Sequence, residues 1–275
     1  MTAQPGAGGT VTDGMTFTSA ISEVDDKDVY VRGYSLGDLI RGRNFAECTY
    51  LTLRGELPTP AEAAVFDAVL CALMSYNAVA GPNILAGRVA VSVNPQPAVG
   101  ILAALSCAGP HTISPEHTGA MLADALARAA DRPVAEVAAE VAEEHLVARR
   151  ALPGIGHPEF KESDPRAAAI IDVTTEHGLT GAASEMHAAI VDAYNELRAP
   201  KRALPLNVDG AMARALTELG FRPIQMHSVS LISFLPGIAA HMIEEIEEGQ
   251  RFRMLAADRE IYTGPARRTL PPRDS

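Results

Sequence analysis

GELPTPAEAAVFDAVLCALMSY, residues 55–76, reads as a helix stop followed at once by a helix start. Gly55 closes the apolar run before it. Thr59 can cap the next helix, Pro60 suits its first position, where no amide hydrogen is needed, and Glu62 completes a capping box. The Ala- and Leu-rich continuation loses little side-chain freedom in a helix, so the spacing predicts a helix to about Tyr76.

The same grammar extends both ways. Upstream, apolar residues from Leu36 to Leu53 recur every three and four positions, which predicts one amphipathic helix. VYVRGYS (29–35) alternates β-branched and polar residues and predicts a short strand or hairpin arm. Residues 1–14 are rich in Gly, Thr and Ala and are expected to be disordered. Their lack of a basic and then apolar leader pattern argues against a signal peptide.

Downstream, Pro82 and Gly87 complicate one stretch, and Asn94-Pro95-Gln96-Pro97 breaks the chain. Helices are then predicted over Ala98–Ala108, Ser114–Ala130, Val134–Arg149, Asp164–Gly178, Glu185–Arg198, Asp209–Leu219 and Pro223–Glu248. The tail 259–268 reads as extended. No βαβ run and no fixed repeat occur, so the fold class is all-α.

Composition removes several function classes. The formal charge of −11 disfavours phosphate backbones, and Arg251, Arg253, Arg267 and Arg268 are too sparse to make a nucleic-acid footprint. The apolar runs Ala98–Cys107 and Val229–Ile243 are shorter than the roughly 20 residues a membrane span needs, and predict buried core helices. Cys48, Cys71 and Cys107 lack metal-ligand spacing. They are expected to be buried free thiols in a reducing, cytoplasmic setting. No metal constellation is visible.

Three helix starts carry candidate chemistry. His117 falls in the first turn after Pro115, where the positive helix end disfavours imidazolium and favours a neutral donor. A plain surface His is the alternative. His157 lies in ALPGIGHPEFKES (151–163), where Gly154 and Gly156 let the backbone approach a ligand closely. Arg166 starts the next helix, a place suited to a carboxylate or phosphate, or it lies on a solvated face. Asp209 reads first as an N-cap, with a catalytic role open. His187 and His241 read as structural, His145 and His177 as exposed helix residues, and Glu244–Glu248 as a solvated face.

Five motifs in order carry a resemblance over about residues 17–268: YVRGYSLGDLI with FAECTYLTLRGELPTPAE, PGIGH with KESDPRA, LNVDGAMARALTELGF, GIAAHMIEE and IYTGPARR. Together they resemble the citrate synthase superfamily. The compact length resembles its short forms, the citryl-CoA lyases and the corresponding module of ATP-citrate lyases.

That resemblance implies a large helical domain (15–110 plus 221–275), a small one (111–220) and an active-site cleft between them. It implies reversible Claisen chemistry on a coenzyme A thioester, with an acyl-CoA and a carbonyl or hydroxy acid as small-molecule partners. It also implies a homodimer, and neither a tightly bound cofactor nor a nucleic-acid or membrane partner. By position, Asp209 is implied as the base and His117 as the thioester-oxygen donor, with His111 in GPH competing for that place. His157 is implied as the contact to the second substrate's oxygen and Arg166 as its carboxylate holder. Gly154, Ile155, Gly156 and Lys161 fall where coenzyme A would lie.

The departures are equally specific. A substrate-binding His is replaced in the stretch Asn77-Ala78-Val79, one Arg by Phe234 and another by Ala257. These losses predict a less charged carbonyl partner than oxaloacetate, unless another cation such as Arg88 or Arg253 fills the gap.

Overall fold

The computed structural model describes residues 18–74 and 81–273. The calls on residues 1–14, on Tyr76 and on Asn77, Ala78 and Val79 lie outside them. Among the described residues the fold is all-α with one small sheet. Strands β1 (Ser22–Val24), β2 (Val29–Val31) and β3 (Tyr34–Ser35) pair antiparallel in order. The hairpin between β2 and β3 turns on Arg32 and Gly33, both at positive φ. This is the two-residue connection whose twist matches its strands.

The run 36–53 is two helices, α1 (Leu36–Gly42) and α2 (Phe45–Arg54), instead of one. Asn44 and Glu47 form a full capping box between them, a start signal that the continuous apolar spacing concealed. Gly55 then ends α2 in the left-handed conformation. Helix α3 (Pro60–Cys71) starts on the predicted Thr59–Glu62 box but ends short of Tyr76.

Pro82 and Gly87 do not interrupt a helix. Pro82 is the first residue of α4 (Pro82–Val93), and Gly87 is where Met242 packs in; a Cβ there would meet its sulfur at 2.6 Å. Next come α5 (Pro97–Ser106), α6 (Pro115–Arg128), α7 (Val134–Val147), α8 (Pro165–Glu176), α9 (Ala182–Leu197), α10 (Val208–Glu218) and α11 (Pro223–Glu248). A single 3-10 turn, Ala257–Arg259, interrupts the extended tail.

Buried apolar side chains form two clusters. One draws on α2, α3, α4, α8, α10 and α11; the other joins α6, α7 and α9. Helix α10 packs against α3, α6, α8, α9 and α11. Small residues (Gly210, Ala211, Ala213, Ala215) make that possible, being buried on nearly every side. The helix carrying Asp209 is therefore central to the fold. Helix α11 is long and apolar enough to cross a membrane by length and composition alone. In this fold it packs against α3, α4, α5, α6 and α10.

Three burial expectations fail. In α5 only Gly100 and Ala104 are buried, and Leu102 is 69% exposed, so this helix is half a surface. Cys71 is exposed, and Cys48 and Cys107 are partly so. Glu245, inside the presumed solvated run, is buried and paired with Arg253 and Arg88.

Candidate active site

The segment 151–163 is fastened to the entrance of α10. The Gly156 amide donates to the Pro205 carbonyl (2.7 Å), and the Asn207 amide donates to the Gly154 carbonyl (3.0 Å). The Asn207 side chain donates to the Gly156 carbonyl (2.9 Å), and Ile155 bridges Leu206. Gly154 is at φ +81, and a Cβ there would meet the Gly210 Cα at 2.8 Å. These glycines are needed for close approach, but to α10. The Gly156 amide and the Gly154 and Gly156 carbonyls are thus engaged within the protein, while Gly156 also lines the adjoining cavity and Lys161 is exposed. Lys161 likewise donates to the His157 carbonyl (3.1 Å).

This fastening lines a cavity of about 160 Å³ with His111, Ile113, His157, Arg166, Asn207 and Asp209 among its walls. It unites four of the sequence-predicted residues, Gly156, His157, Arg166 and Asp209, with His111 as the competing choice of histidine. His117 is not in its lining; the residue is exposed in the first turn of α6, whereas His111 lines the cavity from the turn before that helix. Phe234 is 3% exposed in the main core and is not among the cavity's lining residues. Ala257 lies in the exposed tail. Arg88 and Arg253, the proposed substitutes for missing cations, are held by Glu244 and Glu245 toward the end of α11.

Asp209 is not the cap of α10. Asn207 is, accepting from the Gly210 amide. Asp209 is thereby released for other work. Its Oδ2 accepts from the Ser114 amide (3.1 Å), while its buried Oδ1 has no partner. Burial pushes its carboxyl up to about 7; the Ser114 hydrogen bond opposes this and the nearby Glu116 adds to it. Both protonation states are then accessible near neutrality.

Arg166 is set by Asp164, whose significance beyond helix capping the sequence did not reveal. Asp164 is 1% exposed. One oxygen accepts from the Arg166 amide and Nε (3.0 Å each), the other from Nη2 (2.9 Å) and from the Val208 amide (3.0 Å). This carboxylate thus ties the starts of α8 and α10 together. Burial works to raise its pKa, but the Arg166 hydrogen bonds and charge outweigh that and hold it low.

His157 presents its other edge to the same group. Its Nδ1 accepts from the Glu159 and Phe160 amides (3.1 Å each), which places the proton of a neutral ring on Nε2. Burial and then Arg166 push its pKa down, keeping it neutral. Nε2 lies 3.2 Å from Arg166 Nη2, so the imidazole and the guanidinium meet at one edge of the cavity.

Two other hollows flank the region. One of about 390 Å³ lies between α3 and α8, on the far side of Arg166, with Ala68, Ala72, Ala169, Ile170 and Val173 as apolar walls and Cys71 at its edge. A larger one, about 590 Å³, lies among α2, α3 and α11 and shares no residue with the Asp209 cavity. Size does not locate the chemistry; the perturbed carboxylate and the adjoining imidazole and guanidinium do.

The family model of the citrate synthase C-terminal domain matches residues 10–80 and 84–255. The chain belongs to the citrate synthase family. No curated protein matches it significantly. Among solved structures, a citryl-CoA lyase from Hydrogenobacter thermophilus superposes with a TM-score of 0.85 at 28% identity, covering 94% of this chain and 98% of that one. An ATP citrate lyase from Methanothrix soehngenii, in complex with citrate and coenzyme A, gives 0.77 at 17% identity over 93% of this chain and 43% of that one. Citrate synthase from Thermoplasma acidophilum, with carboxymethyl coenzyme A and oxaloacetate, gives 0.65 at 24% identity over 83% and 59%. The latter two show the shared fold alone.

Proposed function

We propose that this family member makes or breaks a carbon–carbon bond beside a coenzyme A thioester, in the manner of a citryl-CoA lyase. The observation that carries the reading is the Asp209 carboxyl, pushed to about 7, sharing one cavity with His111, His157 and Arg166. In the condensing direction, the Asp209 carboxylate removes the thioester's α-proton while His111 donates to the thioester oxygen. The enolate carbon attacks the partner's carbonyl carbon, whose oxygen gathers charge while accepting from His157 Nε2–H and takes its proton from solvent, protonated Asp209 giving its own back to solvent. Arg166 holds the partner's carboxylate. Cleavage reverses each step: the hydroxyl gives up its proton to solvent under the His157 hydrogen bond, the bond's electron pair passes to the thioester enolate, and protonated Asp209 delivers its proton to carbon. Base and donor acting together would each supply about 10²–10⁴-fold.

The apolar walls beyond Arg166 support a monocarboxylate partner less charged than oxaloacetate. Uncompensated charges against such walls would be costly. The overlay with the Hydrogenobacter citryl-CoA lyase favours a second reading, true citryl-CoA cleavage to acetyl-CoA and oxaloacetate. Citryl-CoA turnover comparable with that enzyme would decide for the second reading. Relative movement of the small domain could exclude water from the intermediate.

A homodimer belongs to the same proposal. Leu85, Val89 and Val93 follow one face of α4 and are 51%, 42% and 58% exposed, with Leu102 of α5 also uncovered. An apolar face of this kind marks an interaction surface. Light scattering on wild type and Val89→Glu tests it: a monomeric wild type discards the dimer.

The activity test is deuterium uptake by acetyl-CoA and propionyl-CoA in D₂O, with small keto acids added, for wild type and Asp209→Asn. Uptake confined to wild type supports Asp209 as the base. Binding without uptake for any acyl-CoA and keto acid would replace catalysis with an acyl-CoA-binding role.

A further inference from the structure

The far side of α10 holds a polar arrangement that this chemistry does not use. His187 of α9 is 1% exposed, and both ring nitrogens are buried without a hydrogen-bond partner. An unpaired buried imidazole is costly and calls for a partner. Arg214 of α10 lies close enough for its charge to act on that ring, and together with burial it holds the histidine neutral, with a pKa of about 4. Burial lowers the pKa of Arg214 itself, and Glu218 one turn on opposes this. Glu218 is engaged elsewhere, accepting from the Gly181 (2.8 Å) and Ser184 (2.7 Å) amides at the start of α9.

His187 and Arg214 line a cavity of about 200 Å³ with Ala188, Val191, Leu206 and Asp192. The guanidinium supplies donors only, and the neutral ring adds one more, so the polar end suits an anionic oxygen pair. Ala188, Val191 and Leu206 make an apolar wall. Exposed Asp192 disfavours a second negative charge on the occupant.

The site also touches the supports of the catalytic cavity. Leu206 bridges Ile155 and immediately precedes Asn207, which holds Gly154 and Gly156. Arg214 shares α10 with Asp209, about 140° around the helix at roughly 100° per residue. We propose that this cavity is a second ligand site, for a short branched or linear monocarboxylate, whose occupancy reaches the catalytic cavity through α10 and the loop pinned to its entrance. The carboxylate meets Arg214 and His187, and the hydrocarbon lies on Val191 and Leu206. The proposal is independent of the reaction assigned to Asp209.

Calorimetric titration tests it at pH 7, using isovalerate, L-leucine and inorganic phosphate as separate probes. The proteins are wild type, Arg214→Gln and Arg166→Gln, each checked for folding by circular dichroism. Saturable isovalerate binding is expected in wild type and in Arg166→Gln, weakened about tenfold or more in Arg214→Gln, the loss of roughly one charge-assisted contact. L-leucine binding with the same variant dependence also supports the site, placing its ammonium toward Asp192. Should Arg214→Gln not fold, His187→Phe, which fills the cavity's polar end with a ring, carries the same expectation. Three results overturn the proposal: no saturable binding of either carboxylate, binding of phosphate alone, or carboxylate binding lost in Arg166→Gln and kept in the α9–α10 variants.

Discussion

Asp164 and Asp209 stand at the starts of neighbouring helices, and their surroundings drive them apart. Asp164 accepts four hydrogen bonds, three from Arg166 and one from the first residue of α10, and stays ionised although almost fully buried. Asp209 accepts one amide and leaves an oxygen unpartnered, so burial wins and its pKa climbs to about 7. The saturated carboxylate holds geometry. The unsaturated one is left with a proton to exchange.

The comparison breaks most severely at Asp164. Asp164→Ala should strip the half-buried Arg166 of its anchor and destabilise the fold by about 2–3 kcal/mol, less than a fully buried pair because the guanidinium left behind reaches solvent. Urea unfolding measures this, and a loss below about 1 kcal/mol would show that the pair is not structural.

Arg166→Lys keeps the charge but not the paired hydrogen bonds to Asp164. A drop of about a hundredfold in α-proton exchange promoted by keto acid is expected, with near-normal stability, because an ammonium cannot reproduce the planar fork. Unchanged promotion would place the carboxylate elsewhere.

Asp209→Asn should stabilise the protein while silencing it. A raised carboxyl pKa means native stability falls as pH rises from the unfolded value near 4 towards about 7, then levels off. The variant should exceed wild type by about 1–2 kcal/mol at pH 8, discounted because the residue partly faces solvent, and match it near pH 4. Equal stability at both pH values would mean the pKa is not raised. Wild-type exchange should correspondingly increase with pH and level off above about 7.

The smallest contrast separates the two histidines. His111→Gln should slow exchange by about tenfold or more, whereas His117→Gln should leave it within about twofold. The reverse ranking would put the thioester on the α6 side of the cavity.

Much of this was legible beforehand. The Thr59–Glu62 box, the Pro223 start and the Ser114-Pro115 start mark real helices because start signals are local: a capping box satisfies amides that a helix end leaves open, and a proline at the first position has none to satisfy. His157, Arg166 and Asp209 were visible as residues at helix starts and in a Gly-rich loop. Asn44, by contrast, was masked by an apolar spacing that runs on across its capping box.

His111 and His117 could not be ranked by spacing, since only the path of the chain into α6 sets which of them lines the cavity. The roles of Asn207, Asp164 and Glu245 were equally closed to sequence reading. A polar residue near a helix end looks like a cap or a surface group until its partner arrives from a distant segment. Val208 lies 44 residues from Asp164.

The sequence by itself therefore determined the helical class, most helix limits and the family, because hydrophobic period, capping and ordered motifs are properties of neighbouring residues. Only the tertiary structure decided which histidines share a cavity with Asp209, which carboxylate stays charged and which apolar faces remain uncovered. Those outcomes depend on burial and on hydrogen bonds between segments far apart in the chain, where the cost of desolvating a charge is set by whatever folds against it.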